Sequence, residues 1–198
     1  MSDIICITNM ALCKGDFIAH IKLIAEAHPA GIILREKNLS EDEYEMLARQ
    51  IMSICEEAGT PCILHSFVHA AIRLGADKIH LPISRLRTLG TDIKNFSVIG
   101  ASCHSADEAK EAKSLGCTYI TAGHIFDTEC KAGTPGRGIQ FLSEICKNVS
   151  VPVYAIGGIT PERITEIYQA GASGACIMSG IMCCDDPKKI ISEFNFRI

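Results

Sequence analysis

The chain has 198 residues, 47% of them hydrophobic, and its 19 Lys and Arg against 23 Asp and Glu give a net charge of −4. This length suits one domain with a substantial core, and the absence of a long block of either charge argues against a nucleic-acid or membrane-surface partner. No apolar run approaches the ~20 residues needed to span a bilayer. With none of these partners indicated, we expect a small-molecule ligand.

The cysteines are numerous, but they predict neither disulfides nor a metal site. Their number, eleven, is odd, no signal-like segment begins the chain, and most lie inside apolar runs. No CxxC pair occurs, and the adjacent Cys183 and Cys184 do not build a zinc site alone. We interpret them as small core residues of a cytoplasmic protein and expect no structural metal.

Short apolar runs recur along the chain and predict parallel strands. They are continuously hydrophobic rather than alternating, which is typical of strands covered on both faces. In chain order the eight runs are DIICIT, GIILRE, PCILH, DKIHL, SVIGAS, CTYITAGH, PVYAIGG and GACIMS.

Segments of helical period separate these runs. The clearest apolar face comprises Tyr44, Leu47, Ala48, Ile51, Ile54, Cys55 and Ala58. Ser40 with Glu43 predicts a capping box at the start of that helix, and Ser105 with Glu108 predicts a second. Several helices are followed by a glycine that leads into the next strand, such as Gly59, which predicts left-handed C-terminal caps.

Eight strands alternating with helices predict a (β/α)8 TIM barrel, one domain covering residues 1–198. A doubly wound open sheet is the competing architecture, but no GxGxxG follows the first strand. Residues 82–96 hold at most a short fourth helix. In a (β/α)8 barrel the ligand site lies at the carboxyl ends of the strands, so the residues there are the candidates for function.

The last two strands end in glycine-rich turns that predict a phosphate site. Gly157 and Gly158 follow the seventh strand, and Ser179 and Gly180 follow the eighth. Their backbone N–H groups suit an anion, and barrels often bind phosphate after these two strands. The alternative is that these residues only form tight turns. We refer to the four as the phosphate-cradle residues.

Arg35 and Lys37 follow the second strand, two residues apart and therefore on one side of the chain. An arginine binds a carboxylate or phosphate through two parallel hydrogen bonds, and a lysine adds a point charge. The pair predicts an anion site, or else two solvated charges before a helix.

Histidines occur at four consecutive strand ends, as His65, His80, His104 and His124. No DxH, HxH or nearby carboxylate accompanies them, which disfavours a metal site. We expect a structural, hydrogen-bonded role for His80. His124 differs because a polar, glycine-containing loop follows it, and a ring with a pKa near ~6.5 transfers protons at neutral pH.

Cys130 lies in the same loop beside Lys131 and is a weaker candidate for a nucleophile. Among eleven cysteines, one in this loop is expected by chance. We therefore assign it no role.

Several stretches in order along nearly the whole chain resemble the thiamine-phosphate synthase superfamily. They are ILREKNLSEDEYEMLA, LGADKIHL, IGASCHSADEAKEA, YITAGHIFDTECKAGTPGRG and VYAIGGI. The resemblance implies a (β/α)8 barrel that acts on thiazole phosphates of thiamine biosynthesis.

The magnesium ligands of the synthase have no counterpart in this sequence. In the synthase, two carboxylates after strands three and four hold the magnesium that binds a pyrimidine pyrophosphate. Counting back from Gly75 puts His65 and Ser66 at the first position, and Arg85 stands at the second. Serine and arginine do not replace a hard anionic oxygen ligand, so metal-assisted departure of pyrophosphate is hard to support.

The strand-six motif is GHIFDTECK, where synthases resemble Gly-Pro-Ile-Phe-x-Thr. A histidine here resembles the TenI-type branch, the thiazole tautomerases, and implies that His124 transfers the proton that makes a carboxylated thiazole phosphate aromatic. In this interpretation the phosphate-cradle residues hold the phosphate, Arg35 and Lys37 hold the carboxylate, and Thr128 and Lys131 order the loop over the substrate. No metal or redox cofactor is needed.

Two other functions stay open at this point. Arg35, Lys37 and Lys131 also resemble residues that serve pyrophosphate in the synthase, a magnesium-dependent transferase. A barrel that binds a thiamine-related phosphate without turnover is the other alternative. A DNA-binding regulator is disfavoured because no helix-turn-helix motif or basic face occurs. We expect a cytoplasmic protein, and its sequence is compatible with a homo-oligomer.

Overall fold

The computed structural model of the protein describes residues 3–128, 131 and 133–195. Eight parallel strands form one closed barrel in sequence order, so the predicted (β/α)8 architecture is confirmed. The strands are β1 Ile4–Ile7, β2 Gly31–Leu34, β3 Cys62–His65, β4 Lys78–Pro82, β5 Val98–Cys103, β6 Tyr119–Gly123, β7 Val153–Ile156 and β8 Gly174–Ile177. Six of them lie within one of the eight apolar runs, and β4 and β5 each extend one residue beyond theirs, to Pro82 and Cys103.

Helices follow the strands on the outside of the barrel. They are α1 Phe17–Glu26, α2 Glu41–Ala58, α3 Val68–Arg73, α4 Ile83–Leu86, α5 Ala106–Ser114, α6 Gly138–Asn148, α7 Ile164–Gln169, α8 Ser179–Met182 and α9 Pro187–Asn195. The stretch expected to hold at most a short fourth helix contains α4 and a 3-10 segment, Gly90–Asn95. None of these helices within the described residues is long and apolar enough to cross a membrane.

The barrel closes between β1 and β8, and the strands carry two separate cores on their opposite faces. Ile5 pairs with Gly31 on one side and with Cys176 on the other. Alternate side chains point to opposite faces of a strand, so β1 contributes Ile4 and Cys6 to the layer under the helices. Ile5, with Tyr119 and others, fills the barrel interior.

The predicted helix caps form, with one difference. Ser40 and Glu43 make a reciprocal capping box. The Ser105 hydroxyl accepts from the Glu108 N–H (3.0 Å), but the Glu108 carboxylate accepts instead from the N–H of His104 (2.6 Å). The second box is therefore displaced by one residue, which ties His104 to the start of α5.

All ten cysteines that the structure describes are free thiols, and five of them are buried. Burial raises the pKa of several of these thiols, that of Cys117 to about 11. This agrees with the interpretation of the cysteines as core residues. Cys130 lies outside the described residues.

Candidate functional site

Two adjoining cavities open at the carboxyl ends of the strands. The first, of about 230 Å³, we call the histidine cavity; it is lined by Ile7, Ile33, Arg35, Lys37, His65, His80, Pro82, Ser102, His104, Thr121, Gly123, His124, Lys131 and Ile156. The second, of about 390 Å³, we call the glycine cavity; it is lined by Ile7, Arg35, Thr128, Lys131, Ile156, Gly157, Gly158, Ile159, Thr160, Cys176, Ile177, Met178, Ser179 and Gly180. Arg35 and Lys131 line both, so the two cavities form one continuous site.

All four phosphate-cradle residues line the glycine cavity. Gly157 and Gly158 adopt positive φ angles of 98° and 64°, which favour glycine. A side chain at Gly157 would collide with His124, whereas one at Gly180 would meet nothing within 4 Å. Glycine is thus required at these two positions by the close approach of residues 124–127. That the N–H groups of Gly157 and Gly158 bind a phosphate stays a prediction.

Three cations surround the point where the cavities meet. Arg35, Lys37 and Lys131 line the histidine cavity, and none of them forms an ion pair with a carboxylate among the residues that the structure describes. Partial burial, together with Arg35 and Lys131, lowers the pKa of Lys37. Cations that repel one another without a protein counter-charge are a setting for an anionic ligand.

Glu36 is a site-building residue that the sequence reasoning missed. Its buried carboxylate accepts from the Thr8 hydroxyl (2.6 Å) and from the Met10 N–H (3.0 Å). The Thr8 oxygen in turn accepts from the N–H of Arg35 (2.9 Å). The sequence did contain a signal for Glu36. Side chains alternate in the extended segment after β2, so the alternation that puts Arg35 and Lys37 on one side puts Glu36 on the other.

His124 directly follows β6, is 8% exposed and lines the histidine cavity. The Gly123–His124 peptide is cis. Nε2 of His124 lies 3.1 Å from the carbonyl oxygen of Thr134. A carbonyl only accepts, so Nε2 carries the hydrogen and Nδ1 of the neutral ring holds the free lone pair. In its neutral form the ring therefore has one unprotonated nitrogen, Nδ1, and the bond from Nε2 fixes its orientation.

The segment after His124 is tied back at several points. The N–H of Gly136 donates to the Asp127 carboxylate (2.7 Å), and the N–H of Gly138 donates to the Ile125 carbonyl (2.8 Å). These bonds join the two ends of the loop that carries Thr128 and Lys131. Thr128 lines the glycine cavity and Lys131 lines both cavities. That they order the loop over a substrate stays a prediction.

His65 and His80 form an uncharged floor of the histidine cavity. Nδ1 and Nε2 of His80 hydrogen-bond with Tyr119 (2.9 Å) and Ser102 (2.8 Å), which matches the structural role expected for it. Burial lowers the pKa of His80 to about 3. Burial, and then the nearby His80, lowers the pKa of His65 to about 2. Both rings are neutral near pH 7 and are poor proton carriers there.

The donor set at the two synthase magnesium positions does not fit magnesium. His65 lines the cavity, the Ser66 hydroxyl is 2.8 Å from Nδ1 of His65, and Arg85 is exposed and lines neither cavity. No carboxylate lines either cavity among the described residues. Within that part of the chain no cluster of three or more His, Cys, Asp or Glu side chains is placed to hold a metal. Magnesium prefers carboxylate oxygens, so these residues do not replace the ligand pair.

The closed barrel, with its cavities at the carboxyl ends of the strands, places the protein among the (β/α)8 barrels, whose active sites lie at that face. The profile of the family described as thiamine monophosphate synthase matches residues 4–181. The chain belongs to this family, an enzyme family of thiamine biosynthesis.

Individual relatives agree with the family assignment. A thiamine-phosphate synthase of Caldivirga maquilingensis is 35% identical over 152 residues, which is 74% of this chain and 72% of that protein. A thiamine-phosphate synthase of Fusobacterium nucleatum is 32% identical over 202 residues, covering 96% of this chain and 95% of that protein. The solved thiamine phosphate pyrophosphorylase of Pyrococcus furiosus superposes with a TM-score of 0.84 at 26% identity, covering 98% of this chain and 94% of that one.

These names bear on the expected activity. They do not distinguish the TenI-type branch, and they favour the transferase activity, the alternative in the sequence analysis, over the tautomerase activity. The residues of the site must therefore carry any finer assignment.

Proposed function

We propose that the protein is a tautomerase, an isomerase that makes a carboxylated thiazole phosphate aromatic by proton transfer through His124. The observation that carries this proposal is the ring of His124. It lies on the wall of a cavity whose described lining has three cations and no carboxylate, and its lone pair is on Nδ1. Such a site favours an anionic substrate and offers it one group for acid and base chemistry.

Each part of the substrate then has a matching part of the site. The phosphate occupies the glycine cavity beside Ser179 and Gly180, and the carboxylate lies against Arg35 and Lys37. Nδ1 of His124 removes a proton from the ring, and the resulting imidazolium returns it to the exocyclic carbon of the double bond. The double bond moves into the ring, and no electrons are gained or lost. Because aromaticity is restored, a positioned acid and base group suffices.

The second candidate is a thiamine-phosphate synthase, which the names of the relatives favour. Arg35, Lys37 and Lys131 suit a pyrophosphate as well as a carboxylate. Against this candidate stand His65, Ser66 and Arg85 at the positions of the two magnesium ligands.

The test is an absorbance time course with the non-aromatic thiazole carboxylate phosphate in the presence of EDTA. We expect rapid aromatisation by the wild type and a rate at least about 100-fold lower in His124→Asn, since a positioned acid–base group contributes about 10²–10⁴-fold. His69→Asn, which changes an exposed histidine on α3, is the matched control and should keep the wild-type rate.

A wild-type rate no faster than buffer would exclude the tautomerase. Formation of thiamine phosphate from a pyrimidine pyrophosphate, a thiazole phosphate and magnesium would then establish the second candidate. Binding of the thiazole phosphate without either reaction would indicate the non-catalytic barrel.

A further inference from the structure

We infer that His104 is a positioning residue, whose imidazole holds the backbone of His124 and so orients the proton-transferring ring. The role of His124 in this inference rests on the proposed function. The bonds that carry it do not, because they connect the ends of β5 and β6 whatever the substrate is.

The last paired residues of β5 and β6 are Cys103 and Ala122. Beyond them, the carbonyl of Gly123 accepts a hydrogen bond from Nδ1 of His104 (2.9 Å). The His104 side chain thus adds one hydrogen bond beyond the backbone ladder of β5 and β6, at Gly123, the residue that precedes His124. The carbonyl only accepts, so Nδ1 carries its hydrogen both in the neutral and in the protonated ring. This bond does not depend on the charge of His104.

Arg137 closes the arrangement from the other end of the loop. Its backbone N–H donates to the carbonyl of His124 (3.0 Å), and its Nη1 donates to the carbonyl of His104 (2.8 Å). The backbone of His104 is itself held, because its N–H donates to the Glu108 carboxylate (2.6 Å) at the start of α5. The carbonyl before the His124 Cα is therefore bonded to His104, the carbonyl after it is bonded to Arg137, and Arg137 is in turn bonded to His104.

His104 also lines the histidine cavity together with His124, and a direct role in acid and base chemistry is the rival interpretation. The two roles use different atoms. Positioning requires a donor at the place of Nδ1, whereas proton transfer to a ligand requires a titrating Nε2. An asparagine side chain places an amide nitrogen close to the position of Nδ1 and does not titrate.

The experiment compares His104→Asn, His104→Gln and His104→Ala in the tautomerase assay. For positioning, we expect His104→Asn to keep kcat within about threefold, and the other two to lower kcat about 10- to 100-fold at little-changed KM, because misplacement by about 1 Å costs that much. His69→Ala is the control. Loss of activity in His104→Asn equal to that in His104→Ala, or an effect on KM alone, would overturn the proposal.

A measurement without substrate separates this proposal from the proposed function. Long-range ¹H–¹⁵N NMR spectra report which nitrogen of each imidazole carries hydrogen. We expect His124 to carry it on Nε2 in the wild type and in His104→Asn, and to exchange between tautomers in His104→Ala. An unchanged His124 signal in His104→Ala would refute positioning, whether or not the wild type turns over the thiazole.

If the His104 variants do not fold, a substitution of Arg137 tests the same proposal from the other end of the loop. Arg137→Gln removes the bond to the His104 carbonyl and leaves the backbone donor to His124 in place. We expect it to lower kcat in the same direction, and its effect combined with His104→Ala should be smaller than the product of the two separate effects. Strict multiplication of the two effects would contradict a shared action on His124.

Discussion

Tyr44 on α2 joins the ends of two strands that carry site residues. Its side chain is fully buried; the hydroxyl donates to the carbonyl of Leu34 (2.7 Å) and accepts from the N–H of His65 (2.8 Å). Tyr44→Phe keeps the ring but leaves this N–H without its partner inside the core. A buried unpaired donor costs about 1–3 kcal/mol and a lost hydrogen bond about 1 kcal/mol, so we expect a loss of about 2–4 kcal/mol of unfolding free energy.

The assay is urea unfolding at pH 7.5, monitored by circular dichroism. The free energies of unfolding of wild type and variant are compared at equal m values. Tyr168→Phe is the matched control, because the hydrogen bond from the Tyr168 hydroxyl to the Asp3 carboxylate is long, at 3.4 Å, and the residue is partly exposed. We expect a change of less than about 0.5 kcal/mol for this control. A loss in Tyr44→Phe no larger than in Tyr168→Phe would refute the argument that the hydroxyl supports the two strand ends.

Two further predictions concern pH and the glycine turn. The folded-state pKa values of His65, about 2, and His80, about 3, lie below the value of 6.5 for an unperturbed ring, so the unfolded chain binds more protons below pH 6.5. The contribution of these two neutral rings to the free energy of unfolding is therefore fully present above pH 6.5, and we expect the free energy of unfolding to fall by about 2 kcal/mol per histidine at about pH 5. Urea midpoints that do not change over this range would contradict the assignment. Gly157→Ala puts a methyl group against His124 at a φ of 98°, so we expect a loss of about 2–4 kcal/mol, against less than about 0.5 kcal/mol for Gly180→Ala, which meets no atom within 4 Å. Equal thermal stability of these two variants would show that the turn after β7 tolerates a side chain.

The barrel was predictable from the sequence because its signals are local. A buried parallel strand is a short apolar run, and a helix has its own period and caps, so a window of a few residues contains the information. The same period places Arg35 and Lys37 together after β2. The motif around His124 pointed to the end of β6, and the cavity at that end is lined by the His124 ring.

Only the tertiary structure decided what surrounds that ring. The bond from His104 to Gly123 spans 19 residues, and the one from Tyr44 to His65 spans 21. Such contacts depend on strand register and on closure of the barrel between β1 and β8, which no local pattern encodes. For the same reason the sequence could not show that Gly157 makes room for His124, that Arg85 lies outside both cavities, or that burial keeps His65 uncharged.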